Sequence, residues 1–230
     1  MHFIALQGTY SSLELGLFKD QAVVAVEYYD ELRASSNLVP FLEEFLKKNN
    51  VALEALSFIA VDKGPGAFTS LRATIASING IAFARQITLV GVNSLEALQV
   101  QACDANIAKQ VRYVVALLNA YNSDAYFRIF DQQLNILVDE SCQKIDEVVA
   151  RLAALKASVL CVGNGAVLYK QELLTVLGDA LHFLTPNPAV PAVTAIGRIA
   201  LKAWPQLQNQ EALYSIEPYY LKTQLFAIKR

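Results

Sequence analysis

Histidine and cysteine are scarce in this sequence: His2 and His182, then Cys103, Cys142 and Cys161, in 230 residues. Neither histidine has a His, Cys or Asp neighbour at metal-ligand spacing, so a metal site and a Ser–His or Cys–His nucleophile have little to draw on. His182, in Leu181-His182-Phe183, reads as a half-buried structural residue. The cysteines are odd in number and far apart, which excludes a disulfide framework and points to reduced thiols in a cytoplasmic protein.

Charge is thin as well. Charged residues are 17% of the chain, hydrophobic residues 54%, and the net charge is −2. An average soluble domain carries about 25% charged residues. Either much of the chain is buried, or a partner covers apolar surface, and the second is expected. No Lys/Arg stripe exists, so direct nucleic-acid binding by this chain alone is not expected; Lys222, Lys229 and Arg230 read as a solvated end. The opening MHFIAL lacks the basic start and length of a signal peptide. The longest apolar stretch, after Arg72, is interrupted by Ser77, Asn79 and Gly80 and lies between two arginines, so it reads as a buried helix and no membrane span is expected.

Alternation and Val-rich runs predict strands at His2–Leu6, Leu13–Leu17, Ala22–Tyr28, Ser57–Val61 and Thr88–Val92, with a hairpin tip at Lys19–Asp20. Helical spacing predicts helices over 38–48, where Leu38, Phe41, Leu42, Phe45 and Leu46 share a face, over 69–84 and over 95–103. The second half repeats the order. Strands are expected at Arg112–Leu118, Ala125–Phe130, Leu134–Val138 and Val159–Val162, with helices at Ile145–Leu155 and from Gly163-Asn164-Gly165 through Leu177. Pro186, Pro188 and Pro191 mark a boundary, Val193–Trp204 reads as a helix ended by Pro205, and Pro218–Ile228 as an extended aromatic tail. Strand-strand-strand-helix-strand-helix, twice over, is the ribonuclease-H-like plan in tandem. The expected class is α/β, with two lobes of the actin- and sugar-kinase-like (ASKHA) architecture.

A glycine-rich turn, Gly64-Pro65-Gly66, leads into the apolar helix. A phosphate-binding loop needs a Lys and a Ser or Thr just after its last glycine. Here Ala67, Phe68 and Thr69 follow, and Pro65 removes a backbone donor. The turn reads as a tight strand-to-helix connection with Thr69 as cap, the alternative being an anion held by the free N–H groups of the helix start near Gly66. The helix has no charged residue from Ala73 to Ala84. Leu71, Ile75, Ile78 and Ala82 form one apolar stripe; Ala73, Ala76, Gly80 and Ala84 form a stripe of small residues; Ser70, Thr74 and Ser77 form a thin polar strip. Such a helix needs cover on more than one side, from the sheet and from another helix of this chain or of a partner. Gln7 stands where nucleotide-hydrolysing actin-like proteins carry an aspartate, and an amide is a weaker magnesium ligand than a carboxylate. Asp62, Asp124 and Asp131 are not placed in one site by the sequence.

Val61-Asp62-Lys63-Gly64-Pro65-Gly66-Ala67-Phe68-Thr69-Ser70-Leu71-Arg72 resembles the G-P-G-S-F-T-G-L-R signature of the TsaB (YeaZ) family, which acts in making threonylcarbamoyladenosine in tRNA. Leu89-Val90-Gly91-Val92-Asn93-Ser94-Leu95 is similar to that family's V-G-V-S-S-L, and Glu217-Pro218-Tyr219-Tyr220-Leu221-Lys222 to its E-P-x-Y-L-R. The resemblance covers nearly the whole chain. It implies a non-catalytic subunit that binds no cofactor alone, with ATP or ADP and a metal belonging to partner subunits or their interface. It implies pairing with the catalytic TsaD subunit, TsaE binding that pair, and tRNA met only through the complex; a homodimer through the same helix is a separate, third reading for the chain without its partner. The implied interface is Phe68, Leu71, Arg72, Ala73, Ala76, Ser77 and Gly80, with Phe41 and Phe45 from the helix 38–48, on a turn shaped by Gly64, Pro65, Gly66 and Thr69. The expected division is a first lobe, 1–106, carrying the docking helices, a smaller lobe, 107–188, and a helix and tail, 189–230, packing back on the first. The chain departs from the family at Gln7 (aspartate), Ser70 (glycine), Asn119-Ala120-Tyr121 (D-A-R) and Arg33-Ala34-Ser35-Ser36 (no histidine), which argues against a nucleotide role. The competing expectation is an actin-like ATPase or M22-type peptidase homologue with its own activity.

Overall fold

The computed structural model describes residues 1–30, 34–133 and 135–222. The first sheet holds β1 (His2–Gln7), β2 (Leu13–Lys19), β3 (Ala22–Tyr29), β4 (Leu56–Asp62) and β5 (Thr88–Val92), in the order β3-β2-β1-β4-β5. The meander β1–β2–β3 is antiparallel; β4 joins β1, and β5 joins β4, in parallel. Its helices are α1 (Leu38–Lys48), α2 (Phe68–Arg85) and α3 (Ser94–Cys103). The second sheet holds β6 (Tyr113–Asn119), β7 (Asp124–Asp131), β8 (Ile136–Lys144), β9 (Val159–Val162) and β10 (Leu181–Phe183), in the equivalent order β8-β7-β6-β9-β10. With it go α4 (Ile145–Ala154), α5 (Asn164–Leu168) and α6 (Lys170–Leu177), and α7 (Val193–Leu207) follows. The repeat read from the sequence is present in the strand order itself.

Strand pleat assigns side chains to opposite faces, and the cores follow. Ile4 and Leu6 of β1 face α1 and α2; Phe3 and Ala5 face α7. Phe3 stacks between Phe18 (4.6 Å) and Phe58 (4.4 Å), and Trp204 of α7 closes on Phe58 at 4.5 Å. In β6, Val115 and Leu117 join the core with α4–α6, while Val114, Ala116 and Leu118 pack on Leu95, Leu98 and Ala102 of α3. Each central strand is thus covered on both faces, and α3 is the apolar joint between the lobes. Two-sided burial accounts for much of the low charge content without a partner.

Several expectations need correction. α7 runs through Pro205 to Leu207 because a proline this near the end removes a single helical bond; Gln208 N still reaches Trp204 O at 3.0 Å. β8 extends to Lys144, well beyond the expected Val138, and its polar half is held by pairing with β7 (Tyr126 with Cys142, Phe127 with Ser141). Leu134 lies outside the described residues, as do Arg33 and the tail from Thr223, with its expected extended stretch to Ile228 and basic residues Lys229 and Arg230. The helix through Leu177 is split at Tyr169. β10, not expected, pairs parallel to β9, and its His182 is half-buried. No helix among the described residues is long and apolar enough to cross a membrane.

Candidate functional site

The glycine turn is fastened from three sides. Buried Asp62, at the end of β4, accepts Gly64 N at 3.0 Å and Ser94 Oγ at 2.5 Å on one oxygen, and Thr9 Oγ1 at 3.2 Å on the other. Ser94 N returns to Gly64 O at 2.8 Å, and Ala67 N donates to Thr9 O at 2.7 Å. Two donors that an anion at this turn would use are therefore engaged inside the chain. Gly64 has φ +100°, in the left-handed region, and a Cβ at Gly66 would lie 2.7 Å from both Thr9 Cβ and Thr9 O. The turn thus lets α2 start hard against the end of β1. Burial raises the Asp62 pKa to about 6, against the opposing effect of its three donors. Gln7 is buried beside it and donates from Nε2 to Thr9 Oγ1 at 3.0 Å; its Oε1 has no partner among the described residues.

The helix starts one residue earlier than expected. Ala67 occupies the cap position with no side-chain bond, and Thr69 is exposed in the first turn, so the expected Thr69 cap is not made. Leu71, Ile75, Ile78 and Ala82 are buried against the sheet as their spacing required. Thr74 leaves the expected polar strip: it is fully buried, and its hydroxyl donates to Gly8 O at 2.9 Å. The expected interface must also be trimmed. Leu71, Phe41 and Phe45 are members of the first-lobe core, because the apolar faces of α1 and α2 both turn onto the sheet. In the chain alone they are covered by the first-lobe core.

The opposite face of α2 remains open. Thr69, Arg72, Ala76, Gly80, Phe83 and Ala84 are exposed, while Phe68, Ala73 and Ser77 are half-buried along its flanks. Phe83 is 69% exposed, and nothing lies within 4 Å of a Cβ built on Gly80. α1 runs beside α2 without covering this face. Between them is a groove of about 840 Å³ lined by Val39, Leu42, Leu46, Ser77, Gly80 and Ile81 among others. Its lining comes from α1, α2 and the 51–54 connection, all in one lobe. Phe83 was missed by a reading that followed only small residues; its spacing from Ala76 and Gly80 was the available signal.

Hydrogen bonds tie the two lobes together. Tyr10, whose phenol pKa burial pushes up, donates to Asn119 O at 2.9 Å. Asn93 caps α3 through Leu95 N (2.8 Å) and Glu96 N (3.2 Å), and its amide reaches Glu140 Oε1 at 3.1 Å. Asp124 is held by Lys144 and Lys222, and Asp131 by Asn135, and neither shares a partner with Asp62 in these bonds. Among the described residues no three His, Cys, Asp or Glu side chains gather in a metal-binding group.

Two tandem ribonuclease-H-like sheets of equivalent strand order define the two-lobed actin- and sugar-kinase-like class. The fold is similar to that of YeaZ from Pseudomonas aeruginosa, with a TM-score of 0.76 and 23% identity, covering 96% of this chain and 99% of that one. It is also similar, at a TM-score of 0.51 and 10% identity over 90% of this chain and 96% of that one, to the activator of 2-hydroxyisocaproyl-CoA dehydratase from Clostridium difficile, solved with bound ADPNP. The TsaD family model (tRNA N6-adenosine threonylcarbamoyltransferase) matches residues 32–184, and the chain belongs to that family. Curated relatives include the tRNA threonylcarbamoyladenosine biosynthesis protein TsaB of Buchnera aphidicola subsp. Baizongia pistaciae, 27% identical over 80% of this chain and 81% of its own length. TsaB of Bacillus subtilis is 25% identical over 77% of each chain.

Proposed function

We propose that this chain acts in tRNA threonylcarbamoyladenosine synthesis as a non-catalytic scaffold subunit that docks on the catalytic TsaD subunit through the open face of α2 and the adjoining groove. The observation that carries the reading is the uncovered small-residue face, with Gly80 in open space and Phe83 standing out beside it. A helix can approach such a face at backbone distance while burying Phe83. The buried Asp62 network supports a structural task for the glycine turn: it fixes the start of the docking helix. ATP or ADP and a metal then belong to the partner or to the shared interface, and tRNA is met through the assembly. The pair is the surface on which TsaE binds.

Sedimentation of the chain alone and mixed with the TsaD of the same genome tests this. A stable one-to-one pair is expected, with a self-associated species when the chain is alone, using the same face about a two-fold axis. Independent sedimentation of the two, together with threonylcarbamoyladenosine that persists in cells lacking this chain, refutes the reading. Hydrolysis of ATP or peptide by the pure chain, lost on changing Thr69 or Arg72, favours the enzyme reading instead.

A further inference from the structure

Residues 213–222 have no regular secondary structure, yet they are pinned along their length. Leu89 N donates to Leu213 O at 2.8 Å, and Tyr219 N to Lys63 O at 2.7 Å. Between them, the Asn79 side chain takes both backbone groups of Ile216: Nδ2 donates to its O at 2.9 Å and Oδ1 accepts its N–H at 3.0 Å. One amide does for Ile216 what a neighbouring strand would do. At the far end Lys222 Nζ reaches Ala120 O at 3.0 Å and Asp124 at 2.6 Å, in the second lobe. This strap lies along α2 and borders a shallow, open hollow of about 250 Å³, lined by Arg72, Ala76 and Asn79 on the helix and by Ile216, Pro218 and Tyr220 on the strap.

Arg72 sets the chemistry of the hollow. Its guanidinium lies 4.9 Å from the Phe68 ring centroid, and the Phe68 ring meets Tyr220 at 5.7 Å. Arg85, Arg128 and Arg198 each have a carboxylate partner; Arg72, like Arg112 and Arg151, is exposed and has none among the described residues, and of these three it is the one beside the strap. A guanidinium resting on an aromatic face keeps its N–H fork free for a carboxylate. The apolar walls of Ile216 and Pro218 suit the methylene stem of the incoming side chain.

We propose that this hollow is a socket for an acidic side chain, Glu or Asp, presented by the partner helix that docks on α2, and that Asn79 positions the strap forming its far wall. The proposal rests on the docking reading above and names the charge the partner must bring. Affinity for TsaD is measured for Arg72→Ala, Arg72→Glu, Arg72→Lys, Asn79→Ala and, as a probe of the docking face itself, Gly80→Arg. Arg72→Glu is expected to weaken association by about 30-fold or more, and Arg72→Lys by less, since it keeps the charge and loses the fork. Added salt weakens the wild type more than Arg72→Ala. Asn79→Ala weakens association and speeds amide exchange in 213–222, leaving exchange in β1 and β4 unchanged. Wild-type affinity in both Arg72→Ala and Arg72→Glu, with association abolished by Gly80→Arg, overturns the socket and leaves the docking reading standing. Wild-type affinity in Gly80→Arg as well overturns both.

Discussion

The carboxylate of Glu14 on β2 accepts the N–H of Val193 at 3.1 Å, so a strand residue caps a helix 179 positions later in the chain. α7 has no cap of its own, and Gln101 Oε1 takes the preceding donor, Ala192 N, at 3.0 Å. Two side chains of the first lobe thereby fix where α7 begins on the sheet. Glu14→Ala should destabilise the protein by about 1–2 kcal/mol, the usual worth of a helix cap. Glu14→Gln keeps an acceptor and should cost less. Thermal unfolding of Glu14→Gln against Glu14→Met, close in volume but without an oxygen acceptor, distinguishes a cap from mere packing, since packing alone predicts no advantage for Gln over Met.

Asp62 supplies a pH dependence with a definite sign. Its folded pKa is about 6 against an ordinary 3.8, with burial as the first cause. The folded protein keeps this proton over a range in which the unfolded chain has lost it, so the contribution to stability is complete below the unfolded value and is lost as pH rises through about 6. The whole difference is on the order of 3 kcal/mol. Asp62→Asn, neutral throughout, retains an oxygen for Gly64 N and Ser94 Oγ, and Thr9 can turn to accept from the amide. Urea unfolding from about pH 4 to 8 should show a decline in the wild type that is flatter in the variant. Parallel profiles would place the decline in other groups, such as Glu14, whose pKa burial also raises.

The bounds of α1, β5 and β9 agree with the residue pattern because their burial is set by their own periodicity: Leu38, Phe41, Leu42, Phe45 and Leu46 all point one way. β8 was legible only in its apolar half. Asp139 to Lys144 carry no strand signal, and pairing with β7 places them in the sheet. The candidate site divides in the same way. The apolar stripe of α2 could be read as buried, but a stripe does not say whether sheet or partner buries it. Leu71, Phe41 and Phe45 had the right character for either and went to the sheet. The Asn79–Ile216 clasp joins residues 137 positions apart, and a lone Asn in an apolar helix gives no hint of its partner.

Gly66 is a point where the turn and the first strand compete for space. A methyl there would meet Thr9 Cβ and the Thr9 carbonyl oxygen, each at 2.7 Å, and the latter is backbone. Because Thr9 also links Gln7 to Asp62, the displacement would pass into that network. Gly66→Ala should lower stability by about 1–3 kcal/mol, as overpacking does. It should also weaken association with TsaD through the tilt of α2, although Gly66 itself is off the docking face. Chemical denaturation and affinity measured on the same preparation check both effects, and a variant as stable as wild type would show that the Thr9 loop yields freely.

Ala76 separates the proposed docking face from the fold. It is exposed, in the middle of α2, one turn before Gly80, and no core cluster includes it. Ala76→Arg should therefore leave thermal unfolding of the chain almost unchanged, since arginine is a good helix former and its charge stays in water. In an assembly the same long side chain would hold the partner helix off the small-residue face, and the acidic group proposed there is already matched by Arg72, so the second charge would be buried unpaired, at about 3–5 kcal/mol by analogy with broken buried pairs, or a loss of at least about 100-fold in affinity. Sedimentation of the variant with TsaD, and alone, reads both the heterologous and the self-associated forms. Lost association with an intact fold places the interface on this face; unchanged association moves it off α2 altogether.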